Sequence, residues 1–264
     1  MNRILIPVDF SDTSLNALDY ATKLFGGSAL EVTILHTYEV SSSAFRMKSM
    51  DRIMEVDAQH EMDALLKRMR EDRPDISVQS KIMKSDAVSA ITFLGNSGTY
   101  DFIVMGTKGA SGLKEVFIGS VAGGVISKTK APVLVVPGGS EYRPLQEITF
   151  AFSGNTLSND NIVEPLRKLV MLHTGKVNVL HISEGEKPDV ENALGPIADL
   201  DPTVTYVFGA GDVNEQLNKY LKKETPELLC LVRGKKGFFS RIFGESVTMK
   251  QTFNSPVPLL ILHG

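Results

Sequence analysis

The sequence predicts an α/β protein built as two tandem doubly wound domains, each a five-stranded, mainly parallel sheet with helices on both faces, in a Rossmann-like arrangement. Three observations carry this prediction. Short apolar runs of strand length alternate with helical patterns, the signature of a parallel sheet covered on both faces. The same order of elements restarts after residue 138. The length of 264 residues lies near the upper limit for one hydrophobic core, which favours two domains over one.

The elements follow in order. Ile4-Leu5-Ile6-Pro7-Val8-Asp9-Phe10-Ser11 is a buried-strand pattern that ends in an Asp-Ser turn. A helical stretch runs on to about Phe25 and is closed by Gly26-Gly27, since glycine readily takes the backbone conformation that ends a helix. Val32-Thr33-Ile34-Leu35-His36 reads as the second strand. After a polar loop comes a long helix in which Met47, Met50, Met54, Ala58, Met62, Leu65 and Met69 recur at spacings of three and four, an amphipathic stripe expected to face the core. A strand near Ile76 to Met83, a helix from Asp86 to about Gly95 and a strand at Phe102-Ile103-Val104-Met105 come next. A glycine-containing loop then leads to a helix from Ser120 to about Lys128 and to a last strand at Pro132-Val133-Leu134-Val135-Val136.

The polar segment Gly138 to Pro144 separates this half from a repeat of it. Ile148-Thr149-Phe150-Ala151-Phe152 repeats the first strand, and Val177-Asn178-Val179-Leu180-His181 the second, with His181 matching His36. The remainder aligns at a constant shift of 126 residues, so that Val78 falls on Val204, Asp86 on Asp212, Asp101 on Glu227, Ser120 on Ser246 and Pro132 on Pro258. The first two strands need shifts of 144 and 145, so the second copy is about 19 residues shorter between its second and third strands and has a reduced Met-bearing region. The expected division is a first domain over 1–138, a linker over 139–146 and a second domain over 147–264.

Composition excludes some functions. Contents of 42% apolar and 22% charged residues are those of an ordinary folded protein. A net charge of −3, from 28 basic and 31 acidic residues, supplies no overall field for nucleic acid or an anionic membrane, so neither is an expected partner and any anion site must be built locally. The single cysteine, Cys230, lies in the apolar run Leu228 to Val232 and reads as an inert core thiol. No run approaches the ~20 apolar residues of a membrane span. Met1 to Pro7 enters a strand pattern without signal-peptide character, so a reducing, cytoplasmic setting is expected.

The chemistry concentrates where the fourth strand ends. There the chain reads Met105-Gly106-Thr107-Lys108-Gly109, then nine residues, then Gly119-Ser120-Val121 at a helix start. In a doubly wound sheet ligands sit beyond the carboxyl ends of the strands. A helix N-terminus there offers unpaired backbone N–H groups and partial positive charge, for which phosphate is the natural guest. Glycines allow close approach of the anion, and Ser120 is placed to cap the helix or to donate its hydroxyl. The plainer alternative is a tight turn with a capping serine.

These residues resemble the universal stress protein family, whose nucleotide-binding members carry Gly-x2-Gly-x9-Gly-Ser/Thr, matched here by Gly106, Gly109, Gly119 and Ser120. Pro7-Val8-Asp9-Phe10-Ser11-Asp12-Thr13-Ser14 is similar to the family's first strand and turn, and Ile34-Leu35-His36 to its second strand. The resemblance covers both halves and implies a tandem member. It implies that Pro7, Val8 and Asp9, with the backbone near Thr37, hold adenosine. Met105, Gly106, Gly109, Gly119, Ser120 and Val121 then hold the phosphates of ATP, or of ADP or AMP. Lys108 either adds positive charge there or is a solvated loop lysine. Mg²⁺ is expected only through the phosphates, because no cluster of side chains has metal-ligand spacing. The resemblance also implies that the last strands of the two domains pair with each other, which makes the chain a built-in dimer; association of two chains is left open.

The second copy departs from the pattern. Under the shift of 126, Gly106 falls on Val232, Gly109 on Lys235 and Gly119 on Glu245, and only Ser120 keeps its identity, at Ser246. Glu245 at a helix start would repel an incoming anion, and Asp9 is replaced by Ser153. The basic run Arg233, Lys235, Lys236 and Arg241 reads as a solvated loop or as a site for a different anion or partner. The turn after Val8 has neither the P-loop nor the dinucleotide glycine fingerprint. No residue is assigned a catalytic role, because no base stands beside the expected phosphates. The sequence therefore predicts a nucleotide-binding regulatory stress protein with one site, in the first domain. The alternatives are a slow ATPase and a partner-binding structural tandem without nucleotide.

Overall fold

A computed structural model describes residues 1–39, 47–107, 118–151, 160–183, 194–209, 213–233 and 255–263. In chain order the elements are β1 (Asn2–Pro7), α1 (Asp12–Leu24), β2 (Leu30–Tyr38), α2 (Met47–Asp72), β3 (Ser77–Lys84), α3 (Ala87–Gly95), β4 (Phe102–Gly106), α4 (Ser120–Lys128) and β5 (Val133–Val136). The second half continues with β6 (Glu147–Ala151), α5 (Glu164–His173), β7 (Lys176–Ser183), β8 (Thr203–Phe208), α6 (Val213–Glu224), β9 (Leu228–Arg233) and β10 (Leu259–His263), with short 3-10 turns at Asp160–Val163 and Gly195–Leu200. The strand and helix types expected from periodicity are present, with ends displaced by a few residues, as is usual where hydrogen bonding fades at termini. Phe152, expected in the first strand of the repeat, lies outside the described residues.

The ten strands form a single sheet in the order β3-β2-β1-β4-β5-β10-β9-β6-β7-β8. Neighbours are parallel except β5 and β10, which run antiparallel with Leu260 opposite Leu134. Each half runs outward from its first strand to its third and then crosses back to a fourth strand on the other side of the first. The order thus reverses between β1 and β4, and again between β6 and β9, and a crevice opens at such a reversal beyond the strand ends.

Strand alternation sorts the apolar side chains onto two faces. One face joins Ile4, Ile6, Phe102 and Val104 with Tyr20 and Leu24 of α1, Met62 of α2, and Phe150, Leu166 and Cys230 of the second half. The other joins Leu5, Ile103 and Met105 with Ile91 of α3, Val125 of α4, and Leu180, Leu217 and Leu229. Both layers run continuously through the two halves. Cys230 is fully buried, and burial pushes its thiol pKa far above the ordinary value, as expected of an inert core thiol.

Register reproduces most of the repeat. Ile4 faces Val32 and Phe102, and Ile148 faces Val177 and Leu228. Ile103 faces Val133, and Leu229 faces Leu259. The third strand is the exception: Val32 is opposite Val78, but Val204 is opposite Val179 rather than Val177. A slip of two residues keeps every side chain on its own face, so the apolar pattern survives it.

Local chemistry fixes the helix ends. Ser11 caps α1 by accepting from the Ser14 N–H, Asp12 stands in the first turn and Lys23 in the last, matching the helix dipole at both ends. Asp86 caps α3 through the Ser89 N–H at 2.9 Å. An acid just before β4 closes β1, since the Arg3 N–H donates to Asp101 Oδ2 at 2.8 Å. Its repeat does the same, with the Glu147 N–H donating to Glu227 Oε2 at 2.9 Å. Only Asp101 also receives Lys168 Nζ of α5, at 2.7 Å.

The Met stripe is half of what periodicity predicts. Ala58, Met62, Leu65 and Met69 are buried, but Ile53 and Val56 are 55% and 58% exposed and Met54 is only partly covered. The front of α2 is held instead by an ion pair between Asp51 and Lys84 of β3. The side chains of Met47 and Met50 lie outside the described residues.

Candidate functional site

Three strand ends converge at the first reversal point. Beyond β1, the Val8 N–H donates to the Leu35 carbonyl at 2.8 Å, so the ladder with β2 continues one residue past the assigned strand. The Val8 carbonyl lies 2.9 Å from His36 Nδ1; a carbonyl only accepts, so this nitrogen carries the proton. Phe10 then adopts φ +61°, a left-handed conformation uncommon for an aromatic residue, with its ring 4.6 Å from that of His36. His36 is thus the brace that holds the turn after β1. Thr37 follows it on β2, opposite Met83 of β3.

That turn presents Asp9. Its Oδ1 accepts from the Ser11 N–H at 3.1 Å and from Ser11 Oγ, and its own N–H donates to Ser14 Oγ at 3.3 Å. Partial burial acts to raise the carboxyl pKa, but the hydrogen bonds from Ser11 and Ser14 outweigh it and hold Asp9 below its ordinary value. The result is an ionised, exposed acceptor at the mouth of the crevice, already oriented by two serines.

On the neighbouring strand, Gly106 ends β4 opposite Val136. A Cβ added there would lie 2.6 Å from the Thr13 carbonyl oxygen, so the glycine lets α1 pack against the strand end. Its requirement is a steric one set by the chain itself. The next residue, Thr107, is 1% exposed, donates its N–H to the Val136 carbonyl at 3.1 Å, and buries Oγ1 without a hydrogen-bond partner. Sequence reasoning treated Thr107 only as a spacer, although alternation with Gly106 puts it on the face that carries α3 and α4. Lys108 and Gly109 lie outside the described residues.

The chain re-enters at α4. Gly119, with extended φ −64° and ψ 164°, is the N-cap, and it supplies no side-chain hydrogen bond. Ser120 is therefore the first helical residue, and of the two roles expected of it the cap falls to Gly119, with a physical consequence. A serine at the cap would satisfy one of the first-turn N–H groups, whereas glycine leaves them all for another acceptor. Ser120 is exposed and Val121 is 39% exposed, so this helix start is open. Met105 is buried and packs in one cluster with Ala122 and Val125 of α4, while at the end of β1 Pro7 is partly buried and Val8 is buried on the other face.

The second half has the same strand ends with different chemistry. Val232 replaces Gly106, Arg233 replaces Thr107, and His263, opposite Arg233, replaces Pro137. Ser153, Lys235, Glu245 and Ser246 lie outside the described residues. No group of three or more His, Cys, Asp or Glu suited to a metal is found among the described residues, and no helix there is long and apolar enough to cross a membrane.

Comparison with known proteins supplies the family. The universal stress protein MJ0531 of Methanocaldococcus jannaschii is 31% identical over 138 residues, which is 51% of this chain and 81% of that protein. The universal stress protein YxiE of Bacillus subtilis is 29% identical over 148 residues, 51% of this chain and 98% of that one. A universal stress protein of Archaeoglobus fulgidus superposes with a TM-score of 0.70 at 18% identity, covering 98% of this chain and 95% of its own, which shows the fold across both halves. The model of the universal stress protein family matches residues 1–137, more than half of the 264 residues, and the chain belongs to that family.

Proposed function

We propose that the chain binds one adenine nucleotide, ATP, in its first half and acts as a regulatory protein whose surface depends on the bound state. The observation that carries this reading is the start of α4: its cap is a glycine with no side-chain hydrogen bond, and it opens beside the strand reversal where Asp9 is held ionised. The uncapped N–H groups of Ser120, Val121 and the residue after them suit a phosphate oxygen. Asp9, at the end of β1, suits a ribose hydroxyl, and the exposed backbone near Thr37 suits an adenine edge. Gly109 completes the phosphate side on the strength of the family pattern, and Lys108 adds positive charge there in this reading. Mg²⁺ comes with the phosphates in this reading. The domain division that accompanies it is 1–138 and 147–264 with a linker over 139–146.

Among the described residues, the first half thereby supplies binding groups and no base beside the phosphate side. Asp9 stands at the adenosine end, and its carboxylate already accepts from the Ser11 N–H and hydroxyl. Mass spectrometry of the small molecule that co-purifies with the chain, with its stoichiometry, tests the reading: about one adenine nucleotide per chain is expected. Gly119→Asp places a carboxylate on the α4 N–H groups and should remove it, roughly a hundredfold loss of affinity if a charge-assisted contact is both lost and replaced by repulsion. Retention of nucleotide by Gly119→Asp would overturn the assignment of this helix.

A further inference from the structure

The second half lacks the glycines and carries a guanidinium next to the first of their positions, with Arg233 where the first half has Thr107. Arg233 ends β9 and lies opposite His263, the end of β10. Leu231 and Ile261 belong to the face that carries α3, α4 and α6, while Val232 and Leu262 belong to the other. Alternation therefore turns both Arg233 and His263 onto the α6 face. In the first half this is the face of α4, and the repeat puts Thr107 at the position of Arg233. Positive charge stands in the second half where backbone N–H groups open in the first.

The other partly buried arginines show what this chain ordinarily does with such a group. Arg73, with 27% of its side chain exposed, forks Asp75 at 2.9 Å. Arg167, at 22%, takes both Glu164 and Asp199 at 2.8 Å. Arg233 is partly buried as well, yet it has no ion pair among the described residues. Beside it, His263 buries Nε2 without a hydrogen-bond partner. Burial first, and the Arg233 charge second, push the His263 pKa down to about 4, so the imidazole is neutral near pH 7 and keeps one N–H to donate. A partly buried guanidinium to which the described residues bring no carboxylate is costly unless an anion completes it.

We propose that the second half binds a phosphate group, free or as part of a small molecule, at the carboxyl ends of β9 and β10, held by the Arg233 guanidinium with His263 as a second hydrogen-bond donor. The planar fork of arginine fits two phosphate oxygens at once. The site is independent of adenosine, because Asp9 has no acidic counterpart in the repeat. The first half reads a nucleotide through backbone amides, and the second reads phosphate through side chains.

The test uses the full chain carrying Gly119→Asp, which closes the α4 helix start, and titrates inorganic pyrophosphate by calorimetry. Saturable binding is expected, weakened about tenfold or more by adding Arg233→Gln. Arg233→Gln keeps most of the side-chain stem, and circular dichroism checks that it folds. The His263 ring resonances should shift with pyrophosphate and not shift in Arg233→Gln. Equal titrations with ATP and adenosine separate the sources: adenosine should not bind the Gly119→Asp chain, and ATP should bind no more tightly than pyrophosphate. No pyrophosphate binding by Gly119→Asp, or an affinity unchanged by Arg233→Gln, overturns the proposal and leaves the first-half reading standing. In the otherwise native chain, Arg233→Gln should still hold one adenine nucleotide.

Discussion

The carboxyl end of β4 and the carboxyl end of β9 are two solutions on one frame. In the first half Gly106 admits α1 to the strand end, Thr107 is buried, and Gly119 leaves the α4 N–H groups open. In the second, Val232 fills the glycine position, Arg233 brings a charge and His263 a neutral imidazole. The strand order and three of the four strand-pair registers are shared. The difference teaches that the sheet fixes where the crevice opens, while two or three residues past each strand fix the chemistry presented there.

The hardest way to break the comparison is to exchange the residues that end the fourth strands. Gly106→Val drives side-chain atoms into the Thr13 carbonyl, whose oxygen already lies 2.6 Å from an ideal Cβ. It should cost about 3 kcal/mol, as overpacking against backbone does, read as a shift in the urea midpoint. The reverse change, Val232→Gly, should cost roughly 1–2 kcal/mol from lost packing and added backbone freedom. It should create no nucleotide site, because Asp9 and the glycine-capped helix are not supplied with it.

Acid comes next and acts on the second half. The His263 pKa is lowered from 6.5 to about 4, so between those values the unfolded chain takes up a proton that the folded chain refuses. Stability therefore rises with pH across that window and is lost as pH falls below 6.5. His263→Gln should flatten this dependence by roughly 3 kcal/mol at most, seen in melts at pH 7 and pH 4.5. His173, also lowered by burial, leaves a residual slope of the same sign. Bound pyrophosphate should raise the His263 pKa and so reduce the acid loss.

A smaller contrast lies at the opposite end of the strands. Asp101 and Glu227 both accept a first-strand N–H, but only Asp101 also receives Lys168 of the other half. Asp101→Ala should cost about 1 kcal/mol and Glu227→Ala about half that. The gap between the two should close in 1 M salt, where an exposed pair is screened. Equal costs at low salt would mean that Lys168 contributes nothing to joining the halves.

Much of this frame is legible in the sequence because the chain repeats itself. The shifts that align Ile4 with Ile148 and Phe102 with Leu228 are the ones the sheet uses. The slip of β8 is not legible, since an even slip leaves the apolar alternation intact. The Met-bearing helix was half legible: spacing states which residues share a face and says nothing of where the sheet beneath them ends. Serine favours caps, which makes a cap one of the two roles expected of Ser120, but the backbone angles of Gly119 decide which residue holds that position. The signal for Arg233 and His263 was present, as the alignment that pairs Gly106 with Val232 also pairs Thr107 with Arg233 and Pro137 with His263. Reading Arg233 as part of a basic run hid the face it occupies.

The central claim is that adenosine and phosphate are read together only in the first half. Calorimetric titration of the nucleotide-free chain with ATP tests it most directly. One tight site per chain is expected, which Gly119→Asp abolishes and Arg233→Gln leaves in place. Two equal tight sites per chain, or one that survives Gly119→Asp, would contradict it.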